Sequence, residues 1–170
     1  VARYEKKRRP WKRTQEVDPK ARTAVLFVNG LSGTGLHTLF TILRIFPKIY
    51  KNFIFIQIGL IDSGLFKGAE EISQHKAHIE QEANRYVSYM RAHGFNAECR
   101  TAIGVDVVDE SVRIATEIVK AYPRSIFFAG QLVFPEDTFF TRWLHNYSAF
   151  AIQRQFYTRG ISILILPIRL

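Results

Sequence analysis

The chain has a single cysteine, Cys99, among 170 residues. That excludes an internal disulfide framework and suits a reducing compartment. No uncharged apolar stretch approaches the ~18 residues needed for a membrane-spanning helix, and no secretory leader pattern opens the sequence. No lysine–serine or lysine–threonine pair follows the last glycine of Gly30–Gly35, so a Walker A phosphate loop is excluded. The same stretch does not fit G-x-G-x-x-G, and as a nucleophile elbow it fails at Thr34. Acidic residues are also scarce, 15 against 24 Lys/Arg. The excess is local, because residues 1–22 hold nine of the basic groups and three of the acids, or +6 of the net +9.

What is present divides at Thr23. Residues 1–22 lack apolar periodicity and contain Pro10 and Pro19, which reads as an extended arm. Residues 23–170 form one aromatic-rich body with 47% hydrophobic residues across the chain, enough for a core. Ala24–Val28 is a short continuous apolar run, the mark of a strand buried on both faces. Leu36, Leu39, Leu43 and Phe46 then recur at helical spacing. The unit repeats. A strand is expected over Phe53–Gly59, then a helix with a stripe of Ile72, Ile79, Ala83, Tyr86, Val87 and Met90, stopped at Gly94. Phe95–Ile103 reads as a weaker strand near a sheet edge, followed by a helix on Val108, Val112, Ala115, Val119 and Tyr122. Ser125–Val133 is a fourth strand, Thr138–Thr158 a helix with an aromatic surface, and Ile161–Leu166 the last strand. Five strands alternating with four helices call for an α/β fold with a five-stranded parallel, doubly wound sheet.

Ligands of such sheets sit beyond the carboxyl ends of the strands, where the strand order reverses. Asn29, Gly30, Ser32, Gly33, Thr34 and Gly35 lie at such an end and open a helix. They read equally as an anion site on free amides and as a tight turn needing positive φ angles. His75 and His78, three apart on a helix, are more simply solvated than metal-binding, and no metal site is expected. Asp62, Asp106 and Asp109 read as loop and cap acids, and Cys99 as a small buried hydrophobe. Ser32, His37 and His145 are the best case for chemistry, yet they supply no nucleophile–base–acid set, so the chain is not expected to be an enzyme. The arm, with Lys6, Lys7, Arg8, Arg9, Lys12 and Arg13 beside Tyr4 and Trp11, fits a solvated tail, a nucleic-acid clamp or a juxtamembrane segment. One cluster abutting a near-neutral body favours the juxtamembrane reading over nucleic acid, with anionic lipid headgroups near the arm.

Val25-Leu26-Phe27-Val28-Asn29, Ile126-Phe127-Phe128-Ala129-Gly130 and the closing Ile161–Pro167 segment after Gly160 resemble the universal stress protein fold across roughly residues 23–170. With Phe66-Lys67-Gly68, Phe128–Phe134 and Leu144-His145-Asn146 included, the chain resembles more specifically the C-terminal domains of amino acid–polyamine–organocation permeases and their cation–chloride cotransporter relatives. The resemblance implies a regulatory or assembly domain at the cytoplasmic face of the cell membrane. Its partners would be a transmembrane domain of the same chain, upstream of Val1, and a second copy in a homodimer. It implies no obligatory cofactor, although a nucleotide is conceivable at Gly130, Asn146 and Ser148. Gly130 matches the first glycine of the stress-protein nucleotide pattern, but Val133 occupies the second, and Asn29 stands where the family ends its first strand with an acid. ATP binding in the family's usual mode is therefore not expected. The alternative is a free-standing nucleotide-binding stress protein.

Overall fold

The computed structural model describes residues 16–29, 33–61, 68–132 and 149–168. Their elements run β1 (Thr23–Phe27), α1 (Gly33–Ile45), β2 (Asn52–Leu60), α2 (Ala69–Ala92), β3 (Asn96–Gly104), α3 (Val107–Ala121), β4 (Ser125–Leu132), then α4, helical over residues 149–157, and β5 (Ile163–Ile168). All strand pairs are parallel, in the order β3-β2-β1-β4-β5. The order reverses between β1 and β4, so the sheet is doubly wound as the alternation of elements predicts.

Alternation along β1 and β2 builds two cores. Ala24, Leu26, Phe53 and Phe55 face α1 and α2, where they meet Leu39, Ile42, Tyr86 and Met90. Val25, Ile54 and Ile56 face the opposite side, against Ile114, Ala115 and Ile118 of α3 and Ile152 and Phe156 of α4. Burial on both faces is why these strands read as unbroken apolar runs. Rings supply much of the volume. Phe55 stacks on Tyr86 with centroids 5.0 Å apart, and Phe156 meets Phe127 edge-on at 5.1 Å.

The helix ends follow local chemistry. Asp106 caps α3 by accepting from the amides of Val108 (2.7 Å) and Asp109 (3.0 Å). Gly94 stops α2 at φ 85°, where the Phe95 amide reaches back to the Met90 carbonyl at 3.1 Å. Gly160 does the same after α4 at φ 68°. No described helix is long and apolar enough to cross a membrane.

Two expectations shift. The buried face of α3 centres on Ser111, Ile114, Ala115 and Ile118, with Val108, Val112 and Val119 only partly covered. The isoleucines, lying between the valines, make the deeper contact with β2. The last strand begins two residues late, at Ile163, because Gly160 and Ile161 close the α4 turn. It also includes Pro167, tolerated on an edge strand where no neighbour needs its missing N–H. Most of the expected aromatic helix, with Phe139, Phe140, Trp143 and Tyr147, lies outside the described residues; its described Phe150 is half exposed.

The segment before β1 is tied to the body. Val17 is buried, and Asn52, fully buried at the start of β2, donates to the Asp18 carbonyl (2.6 Å) and accepts from the Asp18 amide (3.2 Å). The Asn52 side chain also donates through Nδ2 to Thr23 Oγ1 at 3.0 Å and accepts at Oδ1 from Asn96 Nδ2 at 3.1 Å. Residues 16–22 therefore lie at the amino end of the sheet.

Candidate functional site

A cleft of about 830 Å³ opens over the carboxyl ends of β1, β2 and β4, at the switch in strand order. Strand ends supply Val28, Asn29, Gln57, Gly59 and Gly130; α1 supplies Thr34, Gly35 and Thr38; α2 supplies His75, His78, Ile79 and Glu82. This is where the chemistry of open parallel sheets collects, because the strand carboxyl ends and the amino end of α1 converge there.

Of the sequence-predicted site residues, Asn29, Thr34, Gly35 and Gly130 line the cleft. Gly33 opens α1 and is exposed, outside the lining. Gly30, Ser32, Asn146 and Ser148 lie outside the described residues, as do Asp62, His145 and the arm residues Lys6, Lys7, Arg8, Arg9, Lys12 and Arg13. The tight-turn reading of the glycine stretch needs correction at its end. Gly33, Thr34 and Gly35 form the first turn of α1, and neither glycine has positive φ.

Gly130 is small for a packing reason. A Cβ built there would collide with Oγ1 of Thr38, the hydroxyl that donates to the Thr34 carbonyl at 2.8 Å. The absent side chain lets α1 settle on β4. Gly59 plays the same part under α2, where a Cβ would strike Ile79 and crowd His75 Nε2. Both glycines set the helix–sheet spacing that shapes the cleft walls.

The β2–α2 wall was missed by sequence reasoning, although a glutamine interrupting the apolar run Phe53–Ile58 was its signal. Gln57 is 3% exposed. Its amide nitrogen donates to Glu82 Oε2 at 2.8 Å. A carboxylate can only accept, so the amide must turn its nitrogen to Glu82 and its oxygen away. That oxygen, Oε1, is buried and has no hydrogen-bond partner among the described residues. An unsatisfied buried acceptor costs about 1–3 kcal/mol, which a ligand N–H or an ordered water would recover. Glu82 Oε1 lies 3.5 Å from Nε2 of His78, whose side chain is largely exposed. His75 is half buried beneath the same helix face. Both histidines line the cleft, His78 as a largely solvated residue at its rim. Among the described residues no group of three or more His, Cys, Asp or Glu is placed to hold a metal.

Other reactive groups stand apart from the cleft. His37 is exposed on α1, and Asp109 sits in the first turn of α3. Cys99 is half buried on β3, with Sγ 3.6 Å from Asn84 Oδ1. Burial, then the neighbouring Glu80 and Glu98, push its thiol above the usual range, the opposite of what a nucleophilic cysteine requires.

No family model matches the sequence, and no curated protein matches it. The fold does match solved structures. It is similar to the crystal structure of a protein from the universal stress protein family from Burkholderia pseudomallei, with a TM-score of 0.55 and 14% identity over 85% of this chain and 96% of that one. The chain therefore has a universal-stress-protein-like, Rossmann-like α/β fold.

Proposed function

We propose that this chain is a non-catalytic regulatory domain of a membrane transporter, resting at the cytoplasmic face and accepting a small ligand in the switch-point cleft. The observation that carries the ligand part is the buried Gln57 oxygen, which has no donor among the described residues and is set in the cleft wall beside Glu82. Together they ask for a ligand bearing N–H groups, such as an exocyclic amine or an ammonium. The amino end of α1, whose dipole favours negative charge, borders the same cleft and suits its anionic part. A nucleotide has both features, and Gly130, Thr34 and Asn29 border the same space.

The membrane part rests on three supports: the resemblance to permease C-terminal domains, the basic arm, and the latch at Asn52 that holds residues 16–22 at one end of the sheet. Assembly is supported by a contrast between the two sheet edges. On β3 the edge carries the Glu98–Arg100 ion pair (2.8 Å), a charged guard. On β5 the edge exposes Leu164 beside Ile163 and the exposed Tyr157. An apolar, unguarded edge suits pairing with a second copy.

Thermal unfolding against a series of mono-, di- and cyclic dinucleotides tests the ligand reading. A ligand at ~100 times its dissociation constant adds roughly 2.7 kcal/mol, which corresponds to about 5–10 °C for a domain of this size. Gln57→Leu should abolish that shift while leaving the apo protein folded. No shift from any member of the series would leave the domain with an assembly role alone.

A further inference from the structure

The amino end of the sheet gathers positive charge that the sequence scatters. Arg22, Lys51 and Arg124 each immediately precede a strand, and their backbones are neighbours. The Lys51 amide donates to the Arg22 carbonyl at 3.3 Å, and the Thr23 amide to the Arg124 carbonyl at 3.0 Å. Adjacent strands lie about 4.8 Å apart, so the three form one row across β2, β1 and β4. Lys20 joins them, its carbonyl accepting from Arg124 Nη1 at 3.3 Å. All four side chains are exposed, and no ion pair among the described residues involves them. The helices add to the same end, because α1, α2 and α3 carry Arg44, Arg91 and Lys120 in their last turns. Against these stand Glu16 and Asp18, both exposed at this end.

Apolar groups stand within this basic field. The turn after α1 buries Tyr50 and partly buries Phe46 in the aromatic cluster around Phe128. Lys48, at φ 61°, turns the chain so that its own side chain and Ile49 face outward. Ile45 is 52% exposed and Ile49 40%. Exposed isoleucines flanked by unpaired lysines match the composition of surfaces that rest in an anionic lipid interface. A nucleic-acid surface would more usefully present stacking rings or hydrogen-bonding side chains there.

We infer that this folded face, and not the arm alone, docks on the anionic headgroups of a bilayer. The cations meet lipid phosphates while Ile45 and Ile49 enter the interface. The inference rests on the membrane reading above and adds an orientation to it: the amino end of the sheet faces the bilayer, and the cleft opens away from it.

The test is partitioning of the full chain onto phosphatidylcholine vesicles with and without phosphatidylserine. The double variant Lys48→Glu/Lys51→Glu is compared with Lys76→Glu/Arg85→Glu, which changes net charge equally on exposed α2 positions. Each basic group near an anionic surface contributes about fivefold, so the face variant should lose at least about twentyfold on the phosphatidylserine vesicles. The α2 variant should lose little, and Ile45→Ser/Ile49→Ser should weaken the binding that survives high salt. Unchanged thermal unfolding of each variant confirms that it folds. Equal losses in the two charge variants, no loss in either, or tighter binding to single-stranded RNA than to vesicles would overturn the inference. None of these results bears on whether the native product is an integral membrane protein, so failure here is distinguishable from failure of the transporter reading.

Discussion

Replacing Gly130 by alanine puts a methyl group where the Thr38 hydroxyl sits. Two effects oppose each other. Alanine restricts the unfolded chain more than glycine, a gain of about 0.5–1 kcal/mol at a position without positive φ. Overpacking against a fixed neighbour costs about 1–3 kcal/mol. Thr38 is held by its bond to the Thr34 carbonyl and is 1% exposed, so it yields little, and Ile168 approaches the added carbon to 3.3 Å. The cost should win by about 1 kcal/mol, lowering the unfolding temperature by about 2–4 °C. Thr38→Ala removes the colliding oxygen, so Gly130→Ala in that background should be neutral or stabilising. A double-mutant cycle by urea unfolding reads the coupling, expected near 1–2 kcal/mol. Additive effects, or a stabilised Gly130→Ala single variant, would refute the packing argument and return Gly130 to the role of a backbone left open for a ligand.

Three further outcomes follow from the same geometry. Asn52→Ala strips four hydrogen bonds, two to Asp18 in the segment before β1 and two to the first residues of β1 and β3; a loss of about 2–3 kcal/mol and faster tryptic cleavage at Lys20 and Arg22 are expected, and unchanged proteolysis would contradict the latch. Leu164→Glu on the exposed β5 edge should shift sedimentation towards monomer, whereas an unaltered distribution would place self-association elsewhere. Burial raises the Cys99 thiol, and it raises the Tyr50 and Tyr122 hydroxyls above 10.0, with Glu98 adding to Tyr122 and Arg22 opposing at Tyr50. Their neutral forms therefore contribute stability that is complete below about pH 8, where the unfolded thiol is still protonated, and lost as pH rises through the folded values. The urea midpoint should fall as pH rises above about 8, less steeply in Tyr122→Phe; a flat midpoint would contradict the burial argument.

The fold was legible because both faces of the sheet are covered. Ala24–Val28 and Phe53–Ile58 could only be central strands, and Gly94 and Gly160 mark helix ends by their left-handed backbone. The α3 register was harder, since isoleucines and valines share its apolar surface and only contact with β2 decides which go deepest. The site was half legible. Motif spacing drew attention to the Asn29–Gly35 segment, where the structure places Asn29, Thr34 and Gly35 in the cleft. Gln57 and Glu82 are 25 residues apart and meet only because α2 folds back over β2, so no local pattern joins them. The charge distribution hid for the same reason. Arg22, Lys51 and Arg124 are distant in sequence and become one row only through the parallel register.

The most direct test of the central claim is the size and location of the native gene product, read with an antibody against this domain on fractionated cells. A species much larger than 19.7 kDa, held in the membrane pellet through a high-salt wash, is the expected result. A soluble band near that mass would contradict it and leave a free-standing stress-type protein in its place.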